Sequence, residues 1–175
     1  ATITLPKRPG IATPSQSIEN RVGKNRKSDA IPPIQKALDL DPTFGPGYRT
    51  LALAQAAAGK ADQAIELLKQ LIARNPADRH AVLQLSIIHI DAKRFEEALA
   101  VLTPYLKIAP RDPRALNNEG LALLGLDRFD EARRALKRAL KMVPDDPFAL
   151  TNFGRALVAL GRSRLASGGL ELGED

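Results

Sequence analysis

From residue 113 to residue 144 apolar and polar positions recur at the spacing of a helix, break, and recur again. Leu116, Leu121, Leu123 and Leu124 fall on one side of a first run. A polar break follows at Asp127-Arg128, and a second run carries Phe129, Ala132, Ala135, Leu136, Ala139 and Leu140. Apolar residues three and four apart build one face of an amphipathic helix, so this stretch predicts two helices joined by a tight turn.

Shifted by 34 residues, the same pattern returns. Counting each unit from residues 45, 79, 113 and 147, the eighth place is small throughout: Ala52, Ser86, Gly120, Gly154. The twentieth is alanine, at Ala30, Ala64, Ala98, Ala132 and Ala166, and proline closes the units at Pro42, Pro76, Pro110 and Pro144. Glycine costs a helix interior about 1 kcal/mol against alanine, so Gly120 and Gly154 are best explained by two backbones that cross closely. Proline cannot donate the helical hydrogen bond and ends the second helix. A fixed period of this length is the signature of a helical repeat array, in which stacked units bury a face that one unit alone cannot. Over roughly residues 29–160 the pattern resembles the tetratricopeptide repeat (TPR) family.

That resemblance implies an all-α fold, a right-handed α-solenoid of antiparallel helix pairs. The register divides the chain into a leader (1–28), a partial unit (29–44), three full units (45–78, 79–112, 113–146) and a terminal partial unit (147–175) whose pattern decays. Helices are expected over 31–40, 46–58, 62–74, 80–91 and 95–108. A bend is expected at Pro104, and a last first-type helix should end near residue 160. After Gly161 the pattern weakens: Ser163 replaces the phenylalanine of Phe95 and Phe129, and Gly168-Gly169 disfavours a second helix.

Composition narrows the reading. Hydrophobic residues make up 44% of the 175, enough for a continuous core, and no cysteine is present to build a disulfide frame or a thiolate metal site. Neither a signal peptide nor an apolar run long enough to span a bilayer is visible, so a cytoplasmic location is expected. The net charge is +6, but Lys7, Arg8, Arg21, Lys24, Arg26 and Lys27 concentrate +5 of it in residues 1–28, which read as an irregular, solvated leader. The repeat body is almost neutral, and nucleic acid is not an expected partner.

No nucleotide-binding or hydrolase motif occurs, so no enzyme activity, cofactor or metal is expected. His80 and His89 are nine apart on one helix and point to opposite sides, which is not a metal pair. The acidic pairs Glu96-Glu97 and Asp130-Glu131 open second helices, where they complement the helix dipole.

What the resemblance adds is a concave groove lined by the first helices, at the second, fifth, sixth, ninth and twelfth places of each unit. The sixth place reads Thr50, Gln84, Asn118, Asn152; the ninth, Leu53, Ile87, Leu121, Arg155; the twelfth, Ala56, Ile90, Leu124, Val158. A polar ladder would therefore run beside an apolar stripe. An amide carries both donors and acceptors and can pair with any peptide backbone. The expected binding residues are Arg49, Gln84, Asn117, Asn118, Asn152 and Arg155, over a floor of Ile87, Ile90, Leu121 and Leu124. The carboxylate clamp of co-chaperone TPR domains is not expected. Arg49 and Arg114 stand at its basic places, but Leu53 and Asn118 stand where it needs asparagine and arginine. The expected role is a non-enzymatic adaptor or scaffold that takes a peptide segment or partner helix. The alternatives are a substrate-presenting appendage of a larger enzyme such as a transferase, or a homo-oligomer formed through the terminal helices, where Leu150, Leu157 and Leu160 lack cover.

Overall fold

The computed structural model describes residues 28–166, and these form helices joined by short turns, with no strand. In chain order the helices are α1 (Ile31–Leu40), α2 (Gly45–Ala57), α3 (Ala61–Arg74), α4 (Arg79–Asp91), α5 (Phe95–Ile108), α6 (Pro113–Gly125), α7 (Phe129–Met142) and α8 (Pro147–Ala166). The expectations for residues 1–27 and 167–175 lie outside the described residues. No described helix is long and apolar enough to cross a membrane.

Local chemistry sets most helix ends. Asp78, Asp112 and Asp146 cap α4, α6 and α8, each carboxylate accepting two backbone N–H groups of the first turn. Such caps satisfy donors that a helix start would leave free. Proline occupies the first turn of α1, α2 and α6, where its missing N–H is harmless. Each turn inside a helix pair contains one left-handed residue, Gly59 (φ 82°), Lys93 (φ 57°) or Asp127 (φ 57°). These three stand at the same place of the repeat. The expected helix bounds agree to within a residue, and α5 runs unbroken through the exposed Pro104.

Each pair closes over its small residues. A Cβ added to Gly120 would lie 2.5 Å from Leu136 Cγ, so α6 and α7 cross at a distance only glycine allows. Ala52, Ala64, Ala98 and Ala132 are likewise fully buried. The core is a chain of clusters: one centred on Leu68 and Leu85, one on Leu102 and Leu116, one on Leu136 and Leu123. The first two clusters share Ile72 and Val101, so the core runs unbroken across that junction.

One element departs from expectation. Instead of ending near residue 160, α8 runs straight through Gly161 to Ala166. Gly161 tolerates helical as readily as left-handed backbone, and no returning helix packs on α8 among the described residues.

Candidate functional site

The first helices α2, α4, α6 and α8 each present residues to a continuous concavity. A cavity of about 750 Å³ lies between α4, α6 and the start of α8, and one of about 340 Å³ between α2 and α4. Gln84, Ile87 and Asp91 border both, so the two form one groove that crosses α4. Its floor is apolar: Leu83, Ile87, Ile90 and Leu121, with Leu53 and Ala56 in the smaller part. Val143 and Phe148 close one end, and the Phe148 ring is 74% exposed.

The polar groups on the rim differ in how far they are already satisfied. Gln84 places its Oε1 in a buried position with no donor. Arg114, Asp91 and Asp145 border the groove without an ion pair among the described residues. Asn118 is buried, and its Nδ2 donates to Ser86 Oγ at 3.0 Å; that hydroxyl in turn donates to the Leu83 carbonyl. Asn152 is buried too; it donates to Asn117 Oδ1 at 3.0 Å and accepts from Arg155 Nη1 at 3.2 Å.

Beneath the rim, two aspartates tie a first helix to the start of the next first helix, which each of them caps. Arg49 Nη1 pairs with Asp78 at 3.0 Å. Arg79 forks onto Asp112, with Nε at 2.6 Å and Nη2 at 3.2 Å, and the Tyr105 hydroxyl donates to the same carboxylate at 2.8 Å. Burial alone would raise the Asp112 carboxyl. Donation from Arg79, Tyr105 and the Ala115 N–H outweighs it and holds the group below the usual range. Burial, then the bond to Asp112, pushes the Tyr105 phenol up to about 12.

Of the ten residues expected from sequence, Gln84, Ile87, Ile90, Asn117, Asn118 and Leu121 line the larger cavity. The other four sit elsewhere. Arg49 is held by Asp78, Leu124 packs against the core of α6 and α7, Asn152 is buried between α6 and α8, and Arg155 borders a separate crevice at the end of the array. Asn118 and Asn152 each give one amide hydrogen bond to the preceding first helix, Asn118 to Ser86 and Asn152 to Asn117. Among the lining residues outside those ten are Leu83, His80, Arg114 and Phe148. They stand at the fifth place (Leu83) and the second (His80, Arg114, Phe148), places that the family resemblance had marked as groove-lining.

Models of the tetratricopeptide repeat match residues 55–117 and 113–146. Together the two spans reach across more than half of the chain. It belongs to the tetratricopeptide repeat family. Solved TPR structures agree in fold. A thermophilic TPR protein of Thermus thermophilus is 25% identical, with a TM-score of 0.66 over 82% of this chain and 79% of its own. MamA of AMB-1 is 22% identical, with a TM-score of 0.63 over 92% and 94%. The second TPR domain of human RPAP3, solved in complex with the HSP70 peptide SGPTIEEVD, is 20% identical, with a TM-score of 0.58 over 62% and 91%. No curated protein matches the chain.

Proposed function

We propose that the groove of this TPR array, a protein–protein interaction module, receives one segment of a partner protein between Leu53 on α2 and Phe148 on α8, as an extended strand or an amphipathic helix, and that the chain acts as a non-catalytic adaptor. The carrying observation is the continuity of the groove across α4, an apolar trough that ends at an exposed phenylalanine. Burial of a single leucine- or phenylalanine-sized side chain from the partner contributes roughly 1.5–3 kcal/mol. A micromolar complex needs about 8 kcal/mol net of the association entropy, so several such anchors along the trough must act together with polar contacts on its rim.

The polar rim supports the same reading. Gln84 Oε1 lacks a donor, and an N–H from the partner would satisfy it, whereas leaving a buried acceptor unpaired costs about 1–3 kcal/mol. The apolar floor then supplies affinity, and Gln84, Arg114 and Asp145 set orientation. Asn118 and Asn152 act one step back, by holding α6 and α8 in register.

The test is a peptide-display selection against the purified chain, repeated with Ile87→Glu and Leu121→Glu. Both side chains border the groove and neither is fully buried. Selected peptides should lose at least tenfold in affinity for either variant, while Leu40→Glu, on exposed surface of α1, should bind normally. Equal binding by all three proteins, each with an unchanged unfolding midpoint, would refute the groove.

A further inference from the structure

The polar groups around the groove are mostly acceptors. Asp91, Asp145 and Asp146 border it beside one guanidinium, Arg114, and none of these four is in an ion pair among the described residues. Asp146 is engaged in part, by the two backbone N–H groups that it caps. Gln84 adds its buried Oε1, which has no donor. The repeat body as a whole is almost neutral, so this acidity is local to the groove. Cations gather elsewhere: α7 carries Arg133, Arg134, Lys137, Arg138 and Lys141, and none of them borders the groove.

Two of the carboxylates are not needed by the fold. Asp91 is the last residue of α4. A helix C-terminus carries partial negative charge and favours a cation, so an anion there opposes its own helix. The same place of the other units holds Ala57, Gly125 and Ala159. Asp145 is exposed, and its counterparts are Ala77 and Arg111. The two stand at opposite edges of the trough. Arg79, at the start of α4, bonds the residue that caps α6, so the first helices begin along one edge, where Asp145 precedes α8. Asp91 lies at the other edge, and the helix from His80 to Asp91 is about 16 Å long. The apolar side chains of Leu83, Ile87 and Leu121 lie between.

We propose that the partner segment taken by this groove is basic: apolar anchors rest on Leu83, Ile87 and Leu121, and lysine or arginine flanks them on both sides. This rests on the groove reading above and adds the chemistry of its occupant. Lysine and arginine side chains carry N–H donors and no acceptor, which complements a rim of carboxylates and an unpaired amide oxygen. One flanking cation meets Asp145 and Asp146. The other meets Asp91 and is favoured as well by the C-terminus of α4. About five extended residues, or about eleven helical ones, cover the distance between them. An acidic segment would set like charges side by side at both edges.

The probes are two display libraries with one randomised apolar core, flanked by lysine in the first and by glutamate in the second, each panned on the whole chain. The chain's net charge of +6 attracts the glutamate library unspecifically, so a preference for lysine reports the local rim. The lysine library should be enriched at least fivefold over the other. Its best peptide should lose about fivefold in affinity on Asp91→Asn/Asp145→Asn, an exchange of two exposed carboxylates for amides of the same shape. At about 1 M salt, where the screening length falls to about 3 Å, that difference should vanish. Equal enrichment of both libraries, a preference for glutamate, or a double variant that binds the lysine peptide like the parent protein overturns the basic partner. Where bound peptides are still lost on Ile87→Ala, the groove itself stands. Enrichment of neither library overturns the groove reading together with this one.

Discussion

Gly120 and Gly154 occupy the same place of the repeat, 34 residues apart, and experience opposite surroundings. Gly120 is buried under Leu136, with no room for one more carbon, whereas Gly154 faces open space. The same contrast runs through the capping aspartates. Asp112 caps α6 and also receives Arg79 and Tyr105, and it is buried. Asp146 caps α8 in the same geometry, accepts the Phe148 and Ala149 N–H groups, and has no guanidinium partner among the described residues. In a stacked array the residue type records what its place was selected to meet, and the neighbour decides what that residue contributes. Identical residues in register are therefore an internal control.

The aspartates offer the largest test. Asp112→Ala removes a helix cap and leaves Arg79 and the Tyr105 hydroxyl without their acceptor. A lost cap costs about 1 kcal/mol and breaking a buried ion pair about 3–5. Arg79 is partly exposed, which screens the pair, so the expected loss is about 3 kcal/mol in denaturant unfolding. Asp146→Ala should cost only about 1 kcal/mol, the cap alone. Similar losses at both positions would break the comparison. Acid gives the same ordering. The Asp112 carboxyl is depressed in the folded protein, so its contribution is present above the ordinary carboxylate range and fades as pH falls through the folded value.

The glycines come next, and they differ in sign. Gly120→Ala drives a methyl group into Leu136 and should destabilise by roughly 1–3 kcal/mol, the usual range for overpacking. Gly154→Ala meets no atom and replaces a poor helix former with the best one, so it should stabilise α8 by up to about 1 kcal/mol. Destabilisation at both would mean that Gly154 is covered after all.

These pairs also show what the sequence could reveal. Helix positions were legible because proline, aspartate and the left-handed turn residue punctuate every unit, and the groove floor was legible because Ile87, Ile90 and Leu121 stand at apolar places of one face. The state of the amides was not. Spacing places Asn118 on the inner face, but only the packing shows that Ser86, 32 residues earlier, lies within reach and accepts one of its two amide N–H groups. The Arg49–Asp78 pair was hidden for the same reason, since it joins α2 to the residue that caps α4, 29 positions on. The end of α8 could not be read either, because Gly161 suits a turn and a continuing helix alike. Phe148 and Arg114 were accessible in principle. They follow the opening proline of their units at a place that the family resemblance had already assigned to the groove.

The smallest expected effect concerns the eleventh place, where α4 has His89 and α8 has Leu157. His89 is buried and its Nδ1 has no partner. Burial first, then the nearby Arg94 and Lys69 charges, lowers its affinity for a proton; Glu97 opposes them without reversing the shift. The folded value therefore lies below the ordinary 6.5 of the unfolded chain. Well above that pH both states are neutral at this residue, and it contributes no pH dependence. As pH falls through 6.5 the unfolded chain takes up a proton that the folded one refuses, so stability declines until the folded value is reached. The unfolding midpoint should drop between about pH 7.5 and 5.5, over a range where the depressed Asp112 carboxyl stays ionised in both states. His89→Leu should flatten that slope and thereby make α4 resemble α6, which carries Leu123 at this place. An undiminished slope in the variant would assign the acid sensitivity elsewhere and leave His89 as an apolar filler like its counterparts.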